Sequence, residues 1–253
     1  MFRPRIIPVL LLKNKGLVKS VSFKNHRYIG DPINAVKIFN DLKADELVFL
    51  DILASKEKRT ISLEFVKNVG EEANMPFAVG GGITTLEQIK SIIAAGAEKV
   101  VINTKASCDP DFIRSASENF GSSTIVVCID VKKGIFSREQ TWILNGSKPT
   151  GISPVEFAKK VEERGAGEII IQSINRDGSM QGYDIDLIRK ISEAVRIPVI
   201  ALGGAGNIQH MKQAYTEAYA NGLAAGSMFV YHGARNGILI NYPDRSQIAN
   251  LIK

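Results

Sequence analysis

The chain has 253 residues, of which 45% are hydrophobic and 23% charged, and its formal net charge is +6. This length allows one large domain or two small ones, and the composition is that of an ordinary globular protein. Cys108 and Cys128 are too few for a disulfide framework and indicate a reducing cytoplasm. No apolar run approaches a membrane span, and the N-terminal stretch is too short for a signal peptide. The basic residues are scattered and lack interleaved aromatic residues, so a nucleic-acid partner is not expected.

Short apolar runs alternate with longer stretches of helical period along the chain. The helical stretches include TLEQIKSIIAAG and PVEFAKKVEERG, and several end in glycine, as helices often do. The short runs are apolar on both faces, as expected of parallel strands buried under helices. Eight such units predict a single closed (β/α)₈ TIM barrel over residues 1–253. The predicted strands begin at Arg5, Glu46, Pro76, Lys99, Thr124, Glu168 and Ile197, and the eighth ends near Gly226.

The two halves of the chain resemble each other. Glu46 corresponds to Glu168 and Gly82 to Gly204, in both pairs at an offset of 122 residues. The first quarter of each half matches as well, because PVLLLKNKG aligns with VVCIDVKKG. This repeat predicts a duplicated half-barrel, with halves of about 1–120 and 121–253.

Two glycine-rich turns, VGGGI at 79–83 and LGGAGN at 202–207, follow predicted strands and precede helical stretches. Such turns bring backbone N–H groups close to an anion, and a following helix N-terminus adds its dipole. The next strands end in INT and AGS, which offer amide or hydroxyl donors. We therefore expect one phosphate cradle per half; the alternative is that barrel turns use glycine for steric reasons alone. The cradle residues are Gly82, Asn103 and Thr104 in the first half, and Gly204, Gly226 and Ser227 in the second.

Together with DELVFLDI, VVCIDVK and SINRDGS, these turns resemble the cyclase subunit of imidazole glycerol phosphate synthase from Arg5 to about Phe229. The resemblance implies a barrel of the ribulose-phosphate-binding type. It also implies that two aspartates, after the first and fifth strands, act as general acid and base on a bisphosphorylated aminoimidazole precursor. Ammonia would arrive through the barrel from a glutaminase subunit docked on the N-terminal face.

Asp130 matches the second of these aspartates, whereas Leu11 stands at the position of the first. Because an isobutyl side chain cannot exchange a proton, the two-carboxylate mechanism is incomplete in this chain. Leu202 and Gln172 are further departures, standing where the family usually has a small polar residue and a hydroxyl. Other positions that match the family's substrate site are retained, namely Lys19, Asp51, Asn103, Asp177 and Gly178.

Four charged residues stand at or just before the start of predicted strands: Arg5, Glu46, Lys99 and Glu168. If the pleat turns them inward, they form a ring of paired charges, since unpaired burial would be costly. They match, residue for residue, the charged gate through which ammonia enters this family's barrels. The alternative for any one of them is a solvated charge at a strand start.

The segment Ser227–Arg245 departs from the usual cyclase ending and resembles a divergent branch associated with acetamidino modification of bacterial surface sugars. In that branch the barrel and a glutaminase are thought to supply ammonia to a separate sugar amidotransferase. We expect Tyr231, His232 and Tyr242 to belong to a packed tail or loop. His26 and His210 are expected at the surface. Because the histidines lack metal-ligand spacing, a metal is not expected. No other cofactor is expected either.

Three hypotheses follow. The first is a cytoplasmic barrel that conducts ammonia from a glutaminase to a sugar amidotransferase and also binds a phosphorylated small molecule. The second is an active cyclase of histidine biosynthesis in which Asp130 acts alone or with a substitute group. The third is a non-catalytic module that binds a phosphorylated metabolite.

Overall fold

A computed structural model describes residues 3–134, 139–233 and 235–251. Strands and helices alternate through most of this range, as the sequence pattern predicts. The strands are β1 Arg5–Lys13, β2 Gly16–Val21, β3 Lys24–Gly30, β4 Leu47–Asp51, β5 Phe77–Gly80, β6 Lys99–Ile102, β7 Ile125–Lys133, β8 Glu139–Ile143, β9 Lys148–Pro149, β10 Glu168–Ser173, β11 Val199–Leu202, β12 Gly222–Ala225, β13 Tyr231–His232 and β14 Gly237–Ile238. The helices are α1 Pro32–Asp41, α2 Leu63–Glu72, α3 Leu86–Ala94, α4 Thr104–Cys108, α5 Asp111–Phe120, α6 Pro154–Glu163, α7 Ile185–Ser192, α8 Ile208–Ala218 and α9 Arg245–Ala249.

Eight parallel strands form a closed barrel. Their hydrogen-bonded order is β1, β4, β5, β6, β7, β10, β11 and β12, and β12 pairs with β1 to close the ring. All eight correspond to the apolar runs predicted from the sequence. The prediction of a (β/α)₈ TIM barrel is therefore confirmed.

The helices pack on the barrel because each has one apolar face. In α7, Leu187, Ile188 and Ile191 are buried, while Asp184 caps the helix by accepting a 3.4 Å hydrogen bond from the Leu187 amide. Burial of such a face, rather than intrinsic propensity, supplies most of the stability of a short helix. The helices and the outer surface of the barrel thus share one large apolar layer.

Two β-hairpins, absent from the predicted pattern, extend the barrel at its C-terminal face. The hairpin β2–β3 follows β1, and the hairpin β8–β9 follows β7. They occupy corresponding places in the two halves of the chain. This correspondence supports the predicted half-barrel repeat, which stays a prediction.

A second apolar cluster fills the inside of the barrel. Its members are small or branched and come from all eight barrel strands, which is how inward-facing layers of a TIM barrel are built. The cluster contains Ile7, Val9, Val48, Ala78, Val101, Val126, Cys128, Ile170, Ile200, Leu202 and Ala224, with the partly buried Leu11 and Leu50 packed against it. The barrel therefore has an apolar interior between its two ends.

The C-terminal segment runs back along the barrel. The hairpin β13–β14 is held to β3 by Arg27, which lies 5.5 Å from the centre of the Tyr231 ring and donates to the carbonyl of Asn236. Beyond the hairpin, the Leu239 and Asn241 amides donate to the Val230 and Phe229 carbonyls. Ala234 lies outside the described residues. Within the described part of the chain, no helix is both long and apolar enough to cross a membrane.

Candidate functional site

A cavity of about 350 Å³ opens at the C-terminal face of the barrel. Parallel strands direct their carboxyl ends, and the loops that follow them, to this face, which is where TIM barrels build their sites. The cavity brings together every residue predicted for catalysis or phosphate binding. These lining residues are Lys19, Gly82, Asn103, Thr104, Asp130, Asp177, Gly178, Gly204, Gly226 and Ser227, and Leu11 lines the same cavity.

Asp130 lies on β7 and is almost completely buried. Its Oδ1 is 3.6 Å from the Cys128 sulfur, which is close enough for a weak S–H hydrogen bond. Burial raises the pKa of Asp130 to about 7, and the negative charge of Asp177 acts in the same direction. This carboxyl group can therefore take up or release a proton near neutral pH.

Lys19 lies on β2 beside the cavity and is also buried. Its Nζ donates a 2.6 Å hydrogen bond to the carbonyl of Val9, and it passes close over Gly226, where an added Cβ would lie 2.8 Å from Nζ. Burial lowers the pKa of Lys19 to about 7, against the opposing attraction of Asp177. A neutral or charged amine is therefore available at this position near pH 7.

Asp177 holds the first hairpin over the cavity. Its Oδ2 accepts hydrogen bonds of 2.7 Å from the Ser20 hydroxyl and 3.1 Å from the Phe23 amide, and its carbonyl accepts from the Ser22 amide. Burial raises the pKa of Asp177, while these hydrogen bonds oppose the shift. In this structure Asp177 acts on the hairpin, and its predicted contact with substrate stays a prediction.

Both glycine turns require glycine, because each has a positive φ and a backbone carbonyl where a Cβ would lie. Gly82 has a φ of +66°, and a Cβ there would lie 1.8 Å from the carbonyl oxygen of Arg59. Gly204 has a φ of +110°, and a Cβ would lie 2.1 Å from the carbonyl oxygen of Gly182. Steric reasons therefore explain these glycines. The same explanation is compatible with an anion bound by their backbone N–H groups.

Helices follow both glycine turns, as the sequence predicts. Helix α3 begins at Leu86 and α8 at Ile208, and their N-termini are capped by Thr85 and Asn207. The contribution of these helix dipoles to anion binding stays a prediction.

The donors after the next strands are partly engaged. Asn103 Nδ2 donates a 2.9 Å hydrogen bond to the carbonyl of Cys128, and the Thr104 hydroxyl accepts from the amide of Leu144 at the turn after β8. The second hairpin is thereby fixed against the first cradle. Ser227, at the second cradle, is buried and faces the cavity.

At the opposite face, four charged side chains form a closed ring of ion pairs. Arg5 lies 2.5 Å from Glu46 and 2.8 Å from Glu168, and Lys99 lies 3.2 Å and 3.1 Å from the same two carboxylates. Each cation contacts both anions, so charge is balanced within the ring. The side chain of Glu46 is only 4% exposed, and leaving it unpaired would be costly. The four residues of the predicted gate therefore lie together, and their role as a gate stays a prediction.

Comparisons with known proteins agree with this architecture. A family model described as histidine biosynthesis protein matches residues 5–235. The chain belongs to this histidine biosynthesis protein family.

A protein of Leptospira borgpetersenii, provisionally named imidazole glycerol phosphate synthase subunit HisF, is 47% identical over 245 residues, which is 96% of each chain. A Pseudomonas aeruginosa protein, provisionally named subunit hisF2, is 44% identical over 248 residues, covering 98% of this chain and 99% of its own. Imidazole glycerol phosphate synthase subunit HisF of Alkaliphilus metalliredigens is 43% identical over 232 residues, 92% of each chain. The resemblance to the cyclase subunit of imidazole glycerol phosphate synthase is confirmed, and the resemblance to the acetamidino branch stays a prediction.

The departures from the family pattern lie at the top of the barrel interior. Leu11 and Leu202 pack against the apolar interior cluster and line the cavity. Gln172 is the register partner of both Asp130 and Leu202 on its two neighbouring strands. Its Oε1 is buried and has no hydrogen-bond partner among the described residues. Leu11 and Leu202 thus make this part of the cavity wall apolar, and the loss of a second catalytic acid at Leu11 stays a prediction.

Two parts of the site were not anticipated. Arg59, in the loop after β4, lies 2.5 Å from Asp51 Oδ2 and lines the cavity. The available signal was the basic run KEKRT, which begins five residues after Asp51. His26, expected at the surface, is partly exposed and lines the open cavity, where burial and Lys13 lower its pKa. His210 is likewise partly buried, and its Nδ1 accepts from the Gly206 amide at 3.1 Å.

Proposed function

We propose that this chain is the barrel subunit of a glutamine amidotransferase complex, which receives ammonia from a glutaminase and passes it to a partner enzyme. The partner would be an amidotransferase that forms an acetamidino group on a bacterial surface sugar. The relatives are named subunits of imidazole glycerol phosphate synthase, which supports a role within a complex. The sugar acceptor follows from the resemblance of the segment Ser227–Arg245 to the acetamidino branch.

The entry for ammonia would be the ion-pair ring at the N-terminal face. A glutaminase docked on this face would release ammonia directly onto Arg5, Glu46, Lys99 and Glu168. Because each cation is shared by two carboxylates, one contact can lengthen while the other still compensates the charge. The ring can thus open for a small molecule at less cost than a single buried pair.

Beyond the ring, the path is the apolar interior of the barrel. Its walls include Ile7, Val48, Val126 and Ile170. A bare ammonium ion would suffer a large desolvation penalty there, whereas neutral ammonia would suffer a much smaller one. The interior therefore favours the nucleophilic form of the nitrogen.

The observation that carries the proposal is Leu11 at the exit of this path. Proton transfer by a second carboxylate is lost there, while Asp130, in the same cavity, keeps a pKa of about 7. General acid–base catalysis by one positioned group contributes about 10²–10⁴-fold to a reaction rate. A barrel that lacks one of the two acids can still conduct ammonia, but it is poorly equipped to close an imidazole ring.

The cavity also suits a phosphorylated ligand. Gly82 and Gly204 allow close backbone approach in the two halves, and Lys19, Arg59 and Ser227 add polar or cationic groups to the wall. Such a ligand would be the acceptor itself or a metabolite that reports its presence.

The test is an isotope experiment on the complete complex of this chain, the glutaminase and the sugar amidotransferase. Glutamine labelled with ¹⁵N in its amide is supplied with excess unlabelled ammonium, and the label in the amidated product is measured. We expect the natural chain to give mostly labelled product and Lys99→Met to give mostly unlabelled product. Lys67→Met, which removes an exposed lysine paired with Glu71, is the matched control. An unchanged label fraction in Lys99→Met contradicts the conduit.

A second candidate is an active cyclase, and Lys19 is the observation that favours it. A buried amine with a pKa of about 7 in the same cavity as Asp130 could replace the missing acid. The two candidates differ in a bacterial strain that lacks its cyclase subunit and requires histidine. We expect this chain, co-expressed with its glutaminase, not to restore growth without histidine. Growth would favour the cyclase, whereas phosphate binding that ignores any glutaminase would favour a non-catalytic binding module.

A further inference from the structure

We infer that Tyr242 is a positioning residue for the ion-pair ring, because its hydroxyl fixes the backbones from which Arg5 and Glu46 project. The inference deepens the proposed function and rests on it, since the ring is the proposed entry for ammonia. Tyr242 belongs to the C-terminal segment, beyond residue 235, where the match to the family model ends.

The Tyr242 hydroxyl lies between two strand starts. It donates a 2.9 Å hydrogen bond to the carbonyl of Ile6 and accepts a 3.0 Å hydrogen bond from the amide of Asp45. Ile6 follows Arg5 directly, and Asp45 directly precedes Glu46. One hydroxyl group therefore joins the backbones next to two of the four ring residues.

This junction stands where the barrel ladder is missing. Strands β1 and β4 pair in register only from Val9 and Val48 upward. Below that point, the Asp45 carboxylate accepts a 2.9 Å hydrogen bond from the Ile6 amide and also pairs with Arg3. The side chains of Tyr242 and Asp45 thus supply the links between β1 and β4 that backbone hydrogen bonds provide elsewhere.

The tyrosine ring itself is held by packing. It lies 5.6 Å, centre to centre, from the fully buried ring of Phe229. Burial raises the pKa of Tyr242 well above its ordinary value, so the hydroxyl keeps its proton and remains a donor to Ile6. This packing fixes the orientation of the Tyr242 side chain. The Tyr242 hydroxyl in turn fixes the backbones next to Arg5 and Glu46 in the ion-pair ring.

The consequence concerns the closest contact of the ion-pair ring, the 2.5 Å pair of Arg5 and Glu46. If the starts of β1 and β4 can slide or separate, this contact lengthens. The ion-pair ring then no longer closes the N-terminal face of the barrel. Ammonia released by the glutaminase would then escape to solvent, and ammonium from solvent would compete with it.

The experiment uses the complete complex and ¹⁵N-amide glutamine with excess unlabelled ammonium. Tyr242→Phe removes one oxygen and keeps the ring contact with Phe229. We expect the ratio of labelled to unlabelled product to fall by roughly threefold, as for the loss of a hydrogen bond, with the rate driven by ammonium alone unchanged. Tyr231→Phe, in the hairpin of the same segment, is the matched control and should leave the ratio unchanged. Glu46→Gln reports separately on the ring.

The outcomes separate the two ideas. If Glu46→Gln lowers the ratio and Tyr242→Phe does not, the positioning role of Tyr242 is wrong and the conduit stands. If neither variant lowers the ratio, the conduit is wrong, and the positioning role is overturned with it. A crystal structure of Tyr242→Phe gives a second readout: we expect the Arg5–Glu46 contact to lengthen beyond hydrogen-bond distance, and an unchanged contact contradicts the inference.

Discussion

The two ends of the barrel differ in how their charges are compensated. At the N-terminal face, Arg5 and Lys99 each contact both Glu46 and Glu168, and no member of the ring depends on a single partner. At the C-terminal face, Asp130 is buried beside an apolar rim, and its nearest titratable neighbour is the thiol of Cys128. The first arrangement is electrostatically satisfied without a ligand, whereas the second is not.

This difference is consistent with the separate roles that we propose for the two ends. A satisfied ring stabilises its own geometry and suits a repeated passage of a small neutral molecule. A buried carboxyl group with a pKa of about 7 reduces stability at neutral pH, and such a shift in a cavity is typical of functional sites. In our proposal, Asp130 acts without a second carboxylate at the position of Leu11.

The largest effect is expected when the ring is broken. Glu46→Gln leaves Arg5 and Lys99 to share Glu168 and gives the ring an excess positive charge. Because Glu46 is almost fully buried, we expect the free energy of unfolding to fall by about 3 kcal/mol, at the low end for a broken buried pair. Chemical denaturation measures this. Glu71→Gln, at an exposed i,i+4 pair, is the control and should change stability by less than about 0.5 kcal/mol. Equal effects in the two variants would show that the buried ion pairs of the ring contribute no more to stability than an exposed pair.

A smaller effect on the free energy of unfolding, of opposite sign, is expected at Asp130 near the C-terminal face. The folded-state pKa of Asp130 is raised, so folding favours the protonated form, and stability is lost as pH rises from about 4 to about 7. Asp130→Asn avoids this loss. The shift of about three units corresponds to at most about 4 kcal/mol, and since the contact with Cys128 weakens as well, we expect a gain of about 2 kcal/mol above pH 7.

The measurement is the free energy of unfolding at several pH values between 4 and 8. The gain should grow with pH and level off above pH 7, and Asp41→Asn at the exposed end of α1 should show no such growth. A gain that is independent of pH would mean that the pKa of Asp130 is the same in the folded and the unfolded protein, which contradicts the shift.

The smallest effect is expected at the second cradle. Ser227→Ala removes one hydroxyl from the cavity wall without changing charge. We expect the affinity for inorganic phosphate to fall roughly threefold, which is the effect of one hydrogen bond. Phosphorus NMR titration measures this, with the exposed Ser123→Ala as the control. Unchanged affinity would place the bound phosphate elsewhere.

The barrel could be predicted because each of its strands is an uninterrupted apolar run buried on both faces. The hairpin β2–β3 could not be predicted, since Lys24–Gly30 is mostly exposed and polar and shows no regular alternation. Its turn is also hidden, because Ser22 and Phe23 adopt positive φ without being glycine. The structure shows that Asp177 stabilises this turn from a distant part of the chain.

The site residues could be predicted where a motif stood on a strand end, as for Asp130 and the glycine turns. The role inferred for Tyr242 could not, because its two partners, Ile6 and Asp45, lie 236 and 197 residues away in the sequence. No local pattern records such a contact. The pKa values of Lys19 and Asp130 also depend on burial, which only the folded chain defines.

The most direct test of the account is cyclisation by the purified chain alone, given the bisphosphorylated aminoimidazole precursor and ammonium salt as the nitrogen source. We expect no imidazole glycerol phosphate above the uncatalysed background from the natural chain, and an increase of at least about 10²-fold for Leu11→Asp, which restores a second proton-transfer group. Rapid product formation by the natural chain, unaltered by Leu11→Asp, would contradict this expectation.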